Sequence, residues 1–315
     1  MPFYFFLLPC ITPPLKLGTR GSPLALWQAR HVAALLAPLA DPRPVELALI
    51  DTHGDRDQAT ALRDMGGFGV FTKAIQQAVL DGRADVAVHS LKDLPTEPTA
   101  GTQLAGTPPR GPTGDAFISV KHRRFDDLPR GAVVGTSSLR RRAQLLNRRP
   151  DLRLVDLRGN VDTRLRKLEE QDLDAIILAE AGLVRLGQGH RITEVLDPDW
   201  MLPAVGQAAI GLECRTDDRP SRQLAEAITD PGTWARVTAE RAMLWALGGG
   251  CLVPVGASSQ VADGVLTLRG AVLTADGGRR IVATHRGPAE TPLAVGQELA
   301  AMLHGEGAAE LLGRS

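Results

Sequence analysis

The sequence predicts an α/β protein made of two similar lobes and a smaller α+β unit at the C-terminal end. Three observations carry that prediction. Short apolar runs such as Asp85-Val86-Ala87-Val88 and Asp174-Ala175-Ile176-Ile177 have the pattern of strands buried on both faces. A Gly-Thr pair between a strand and a helix occurs twice, at Gly18-Thr19 and Gly135-Thr136, and Gly54 and Gly159 each follow the next strand. Pro108, Pro109, Gly111, Pro112 and Gly114 form a linker between the two repeats. Twin lobes joined this way imply a cleft between them, with helix N-termini facing it from both sides.

The elements follow in order. Leu15-Lys16-Leu17 begins a strand, and a helix over 24–36 shows apolar spacing at Leu24, Trp27, Val32, Leu35 and Leu36. Ser22 suits its N-cap and Pro23 its first position, and the free N–H groups of that first turn, with Arg20 beside them, suit an anion. Val45 to Ile50 is a second strand. Gly66, Gly67 and Gly69 make a mobile loop, and a helix over 72–80 leads to the strand from Asp85. In the second repeat, Ala132-Val133-Val134 is a strand and Ser137-Ser138 a capping turn. The helix from Leu139 carries Arg140, Arg141 and Arg142. The strand 152–155, a helix over 161–169 and the strand 174–178 follow. Pro203 to Gln207 reads as a return crossing and 208–214 as a strand rejoining the first lobe, with Cys214 a buried small hydrophobe. A helix over 233–247, strands 265–269 and 280–285 around Asp276-Gly277-Gly278, and a last helix from Pro292 complete the chain. The expected division is 1–14 as an extension, 15–108 with 208–226 as the first lobe, 113–203 as the second lobe, and 231–315 as the third domain.

Met1 to Pro14 lacks the basic start and small-residue cleavage site of a signal peptide. It reads as a disordered extension or a misassigned start, with export the lesser reading. Lys+Arg and Asp+Glu each total 36, so no overall field draws the protein to nucleic acid or anionic membrane. No apolar run reaches the ~20 residues of a membrane span. Cys10, Cys214 and Cys251 are too few for a disulfide framework and show no metal-ligand spacing, which suits a reducing cytosol and no metal.

Ligands of open α/β sheets sit beyond the carboxyl ends of strands. The run His89-Ser90-Leu91-Lys92-Asp93 ends such a strand, so His89, Ser90, Lys92 and Asp93 stand where chemistry is expected. Taken alone, a carboxylate there more often caps a helix. From Arg140 to Arg166 there are nine arginines against three aspartates and no glutamate. Such a run is ordinarily a solvated face. Here Ser137, Ser138, Arg140, Arg141, Arg158 and Arg164 lie just past strand ends, where guanidiniums recognise carboxylate or phosphate. Aromatic residues are 4% of the chain, too few to interleave as base-stacking platforms, so small acidic substrates fit better than nucleic acid. Cys251 follows three glycines, which suits an exposed thiol used for covalent attachment. A structural free cysteine is the alternative.

Assembled, these segments resemble the hydroxymethylbilane synthase (porphobilinogen deaminase) family. The resemblance rests on Thr19 to Ala29, Val88 to Pro95, Gly135 to Arg141, Leu157 to Val161 with Thr163-Arg164, Pro203 to Gln207, and Gly249-Gly250-Cys251 with Val253-Pro254. It implies two periplasmic-binding-protein-like lobes and a small α+β C-terminal domain. It also implies a dipyrromethane cofactor on Cys251 through a thioether. Four porphobilinogen units would be joined head to tail on that primer, each losing ammonia, and 1-hydroxymethylbilane released by hydrolysis. Asp93 would be the catalytic carboxylate beside the azafulvene cation. Lys92, Ser137, Ser138, Arg140 and Arg141 would hold the cofactor, and Arg20, Ser22, Arg158, Arg164 and Arg185 the substrate. The expected enzyme is a cytoplasmic monomer with no nucleic-acid or membrane partner. A two-lobe binding protein for small polycarboxylates is the alternative. Phe68 stands where the family often has Lys, and His53 where Arg is common, which puts the role of the 66–69 loop in question.

Overall fold

The computed structural model describes residues 12–51, 72–248 and 253–313. Its first lobe comprises β1 (Leu15–Thr19), α1 (Pro23–Ala40), β2 (Val45–Leu49), α2 (Lys73–Leu80), β3 (Val86–Ser90) and β4 (Thr102–Gly106). The second comprises β5 (Asp115–Ile118), β6 (Val133–Gly135), α3 (Leu139–Arg148), β7 (Arg153–Val155), α4 (Val161–Glu170), β8 (Ala175–Ala179), α5 (Glu180–Arg185) and β9 (Glu194–Val195). The chain then returns through β10 (Ile210–Arg215) and α6 (Arg219–Ala227), and β10 pairs with β3 and β4 of the first sheet.

Strand order is β2-β1-β3-β10-β4 in one sheet and β7-β6-β8-β5-β9 in the other. In each, the first three strands are parallel and the fourth runs against them. The repeat extends to side chains. Asp85 accepts the Lys16 N–H at 2.9 Å, and Asp174 accepts the Val133 N–H at 2.7 Å. The glycines of the twin turns are close-packing residues. A Cβ on Gly18 would come 2.9 Å from the Ala84 methyl, and one on Gly135 3.0 Å from Leu173.

β3 is buried on both sides, as its Val-rich sequence requires. Val86 and Val88 pack with Leu17, Val32 and Leu36 on the α1 side, whereas Ala87 packs with Ile75 and Val79 of α2. Strand alternation therefore sends His89 to the α2 side and not into the cleft. The 3-10 turn Leu91–Asp93 follows at once. Burying a Val or Leu of this kind stabilises by about 1.5–3 kcal/mol.

The third unit is an antiparallel meander of β11 (Val255–Ala262), β12 (Val265–Leu273) and β13 (Arg280–Pro288). It is covered by α7 (Pro231–Ala246) and α8 (Pro292–Gly305), with α9 (Ala308–Leu311) at the end. Met243, Leu266, Leu268, Leu299 and Leu303 form its core. Gly296 lets the two long helices touch: a Cβ there would strike the backbone of Ala239 and Met243. β11 has no strand signature, because Gly256, Ser258, Ser259 and Gln260 interrupt its apolar pattern. Pairing with β12 along all eight residues makes it a strand.

Two segments cross between the lobes, and α7 holds both. Arg110 of the first crossing makes a bidentate pair with Glu240, at 2.6 and 3.0 Å, and donates to the Gln207 carbonyl of the second at 2.7 Å. Glu240 also accepts the Gly206 N–H at 2.8 Å and the Ser259 hydroxyl at 2.5 Å. It has no exposed surface. Burial alone would raise its pKa, but Arg110 and these hydrogen bonds hold it below the usual value. Among the described residues, no helix is long and apolar enough to cross a membrane.

Candidate active site

α3 begins at a capped turn. The Ser138 hydroxyl accepts the Arg141 N–H at 3.4 Å, and Ser22 does the same for Ala25 in α1, also at 3.4 Å. Ser137 has a different task. Its hydroxyl accepts the Leu157 N–H at 2.9 Å and donates to the Leu157 carbonyl at 3.0 Å. It thus ties the α3 turn to the Leu157-Arg158-Gly159 turn, where Gly159 takes a left-handed φ of 113°. Asn160 then caps α4, accepting the Thr163 N–H at 2.8 Å, and α4 carries Arg164.

Arg140 and Arg141 both turn inward onto Asp115 at the start of β5. Arg140 donates to Asp115 Oδ2 at 2.6 Å and to the Leu202 carbonyl at 2.5 Å. Arg141 donates to Asp115 Oδ1 through Nε and Nη2, at 3.0 and 2.7 Å, and to the Ile177 carbonyl at 3.0 Å. Gln207 adds a fourth donor to the carboxylate at 3.0 Å. Asp115 is fully buried, which by itself would raise its pKa. The two guanidiniums and their hydrogen bonds hold it far below the carboxylate range. Two buried positive charges thus face one negative charge.

Lys92 and Asp93, in the turn after β3, meet this group from the first lobe. Burial lowers the Lys92 pKa to about 8. Arg141 and Arg140 push the same way, while Asp93 and Asp115 oppose them. Arg164 is lowered to about 10, first by burial and then by Arg141 and Arg158, with Asp93 opposing. Asp93 therefore acts on cations from both lobes. The buried Nε of Arg164 has no hydrogen-bond partner, and neither does that of Arg140. Desolvated cations with unused donors are unfavourable unless an anion completes them. A ligand with several carboxylates fits these residues, and the acetate and propionate groups of a dipyrromethane are such carboxylates.

The other expected residues are placed as follows. Arg20 is half-buried just past β1. Arg185 lies at the α1–α5 contact, its guanidinium 5.3 Å from the Trp27 ring centre and donating to the Ala208 carbonyl at 2.6 Å. Ser90 bonds Gln28 of α1 at 2.9 Å. His89 contacts Glu213 of β10 at 3.0 Å, in a buried network in which Glu213 also accepts from Gln76 and Thr102. Cys214 is buried, and burial pushes its thiol up to about 11. Cys251, Phe68, His53 and the 66–69 loop lie outside the described residues, as does most of the 1–14 stretch. Leu247 and Val253, on either side of Cys251, both pack on the third-unit core. No group of three or more His, Cys, Asp or Glu among the described residues is arranged to hold a metal.

Sequence reasoning missed Asp115 and Gln207 as partners of the arginines. The available signal was indirect: an arginine-rich helix start packed on a sheet needs a buried counter-charge, and Asp115 heads an apolar strand.

Two family models match the chain. One described as "Porphobilinogen deaminase, dipyromethane cofactor binding domain" covers residues 15–223, and one described as "Porphobilinogen deaminase, C-terminal domain" covers 234–305. The porphobilinogen deaminase of Syntrophotalea carbinolica is 48% identical over 298 residues, 95% of each chain. That of Acidithiobacillus ferrooxidans is 49% identical over 298 residues, 95% of this chain and 97% of the relative. Among solved structures, the methionine-binding protein MetQ matches with a TM-score of 0.45 at 14% identity, over 68% of this chain and 89% of that one.

Proposed function

The chain belongs to the porphobilinogen deaminase family, and we propose that Asp93, between the cations of the two lobes, is the catalytic carboxylate of its hydroxymethylbilane synthase reaction. The reaction condenses four porphobilinogen molecules head to tail with loss of ammonia and ends in hydrolytic release of the linear tetrapyrrole. Bound through Cys251, the dipyrromethane supplies the free pyrrole carbon at which the chain starts to grow.

The chain's own residues have two tasks. The first is to hold acids. Lys92, Arg158 and Arg164 offer half-buried positive charge to the acetate and propionate groups. Arg140 and Arg141 add to that field while fixed by Asp115, and Arg20 and Ser22 extend it at the α1 turn. Ser137 and Ser138 position the α3 and Arg158 turns. The second task belongs to Asp93. In its protonated form it hands a proton to the amine that leaves porphobilinogen as ammonia, and the carboxylate so formed faces the azafulvene cation that results. It then takes the proton lost from the pyrrole carbon when the new bond closes. The observation that carries this reading is the effect of Asp93 on both Lys92 and Arg164, one from each lobe.

The reading divides the chain into lobes 15–108 with 208–226 and 113–203, and a third domain 231–315. The three separate sheets support that division. It takes the enzyme as a cytoplasmic monomer without a nucleic-acid partner. Sparse cysteines support the compartment, and scarce aromatics the last point.

Intact mass and turnover test it together. Wild-type protein should carry the mass of a dipyrromethane, and Cys251→Ser should not. Asp93→Asn should keep that mass yet lose turnover by about 10²–10⁴-fold. Near-normal turnover in Asp93→Asn removes Asp93 from the role.

A further inference from the structure

The turn that carries Asp93 is held from behind by the third unit. Leu91–Asp93 is a single 3-10 turn, closed by one bond from the Leu94 N–H to the Leu91 carbonyl at 3.1 Å. A turn this short does not keep a direction by itself. The backbone is extended from Leu94, so the Leu94 and Pro95 carbonyls gain no partner from a continuing helix. Arg241 of α7 takes both: Nη1 donates to the Leu94 carbonyl at 2.9 Å and Nη2 to the Pro95 carbonyl at 2.6 Å. Its planar fork suits two successive carbonyls at once. Val237, one helical turn earlier on the same face, is fully buried against Leu91 and Leu94. Glu240, beside them on that face, accepts the Gly206 N–H at 2.8 Å. Gly206, at a left-handed φ of 70°, lies so close to the turn that a Cβ there would come 3.3 Å from the Lys92 nitrogen. One face of α7 thus grips the turn by hydrogen bonds, by apolar packing and through Gly206.

We propose that Arg241 is a positioning residue for Asp93. Its fork fixes the exit of the 3-10 turn, and with it the direction in which the Asp93 carboxyl meets the leaving amine and the cation that follows. Without this strap the turn carries the same carboxyl but spends less time in the geometry that transfers the proton. The strap itself is independent of the chemistry; its effect on turnover rests on the role of Asp93 proposed above.

Amide hydrogen exchange and steady-state kinetics on cofactor-loaded protein test this together, wild type against Arg241→Met. Exchange of the amides of residues 90–94 should speed up by about tenfold or more, because charge-assisted bonds that hold the turn are gone. The kcat should fall by about 10–10²-fold, with the KM for porphobilinogen within about twofold of wild type. Arg241→Lys, with one nitrogen in place of the fork, should move both readouts the same way by less, and it serves if the methionine variant does not fold. Added to Asp93→Asn, Arg241→Met should lower kcat by no more than about twofold further, because the group it aims has already been removed. Unchanged exchange in both variants overturns the strap, whatever the rate. Faster exchange with unchanged kcat overturns the claim that the strap aims the carboxyl. A fall in the double variant as large as in Arg241→Met alone severs the link to Asp93. Faster exchange together with near-normal turnover in Asp93→Asn sinks the catalytic role of Asp93 and leaves the strap standing.

Discussion

The two lobes share a strand order, a capped turn after the first strand, and a carboxylate, Asp85 or Asp174, that accepts a backbone N–H at the start of the neighbouring interior strand. They differ in what the fourth strand buries. In the first lobe Glu213 of β10 sits among His89, Gln76 and Thr102, with no arginine bonded to it among the described residues. In the second, Asp115 of β5 carries Arg140 and Arg141. The first lobe presents a carboxylate, Asp93, on a short turn, and the second presents guanidiniums on helix starts. A scaffold that places one buried acid behind the cleft can thus support a net positive wall on one side only. The acid lets the arginines be buried, and the surplus positive charge is left for the ligand.

The sharpest way to break this comparison is Asp115→Asn. It keeps the shape of the side chain and leaves two buried guanidiniums without a counter-charge. A loss of about 3–5 kcal/mol is expected, as for other buried pairs stripped of one partner. Urea unfolding should show a lower midpoint at unchanged slope, and the purified protein should carry less cofactor. The counterpart in the first lobe, Glu213→Gln, should cost only about 1–3 kcal/mol, because neutral partners can still be hydrogen-bonded. If Glu213→Gln is the more damaging of the two, the contrast between the lobes is wrong. Both acids have folded-state pKa values below their unfolded ones. Their stabilisation is therefore present above the ordinary carboxylate pKa and is lost as pH falls below it. Glu213→Gln should accordingly unfold with a shallower dependence on pH in the acid range.

A further test concerns Lys92, which joins the two sides. Its folded-state pKa is lowered from 10.5 to about 8, so the unfolded chain binds the extra proton between those values. Stability of cofactor-free protein should therefore rise with pH from about 8 to 10.5. The side chain is only half-buried, so solvent screening keeps the effect smaller than that of Asp115→Asn. Bound carboxylates should raise the Lys92 pKa and flatten the slope. Thermal melts of Cys251→Ser and of loaded wild type across this range make the comparison, with Lys92→Met as the control that should show no slope from this group.

How much of this was legible follows from the range of each signal. Strands such as β3 and β8 and the Gly-Thr turns are local patterns, and they were readable. β11 was not, because its pairing with β12 and not its own residues makes it a strand. His89 stands among polar residues at a strand end, where chemistry is expected. Counting alternation from Val88 would have placed it on the other face. The pairing of Asp115 with Arg140 and Arg141 joins elements 25 and 26 residues apart, and no periodicity encodes it. Asp93 and Arg164 were linked by family resemblance, since they come from different lobes. The resemblance also places Arg185 among the substrate-binding residues, and the fold sets its guanidinium over Trp27.

The smallest expected effect separates scaffold from function. Ser22 and Ser138 cap corresponding helices with bonds of the same length, 3.4 Å. As caps alone, Ser22→Ala and Ser138→Ala should each cost about 1 kcal/mol. That equality is the point of the test, because only one of the two helices carries the buried arginines. Losing the Ser138 cap also loosens the turn that aims Arg140 and Arg141, so its effect on turnover should exceed that of Ser22→Ala even when their melting temperatures match. Equal stability loss with equal turnover loss would mean that the α3 start is no more than a capped helix. Equal stability loss with unequal turnover would place the functional difference between the lobes in the charge and not in the fold.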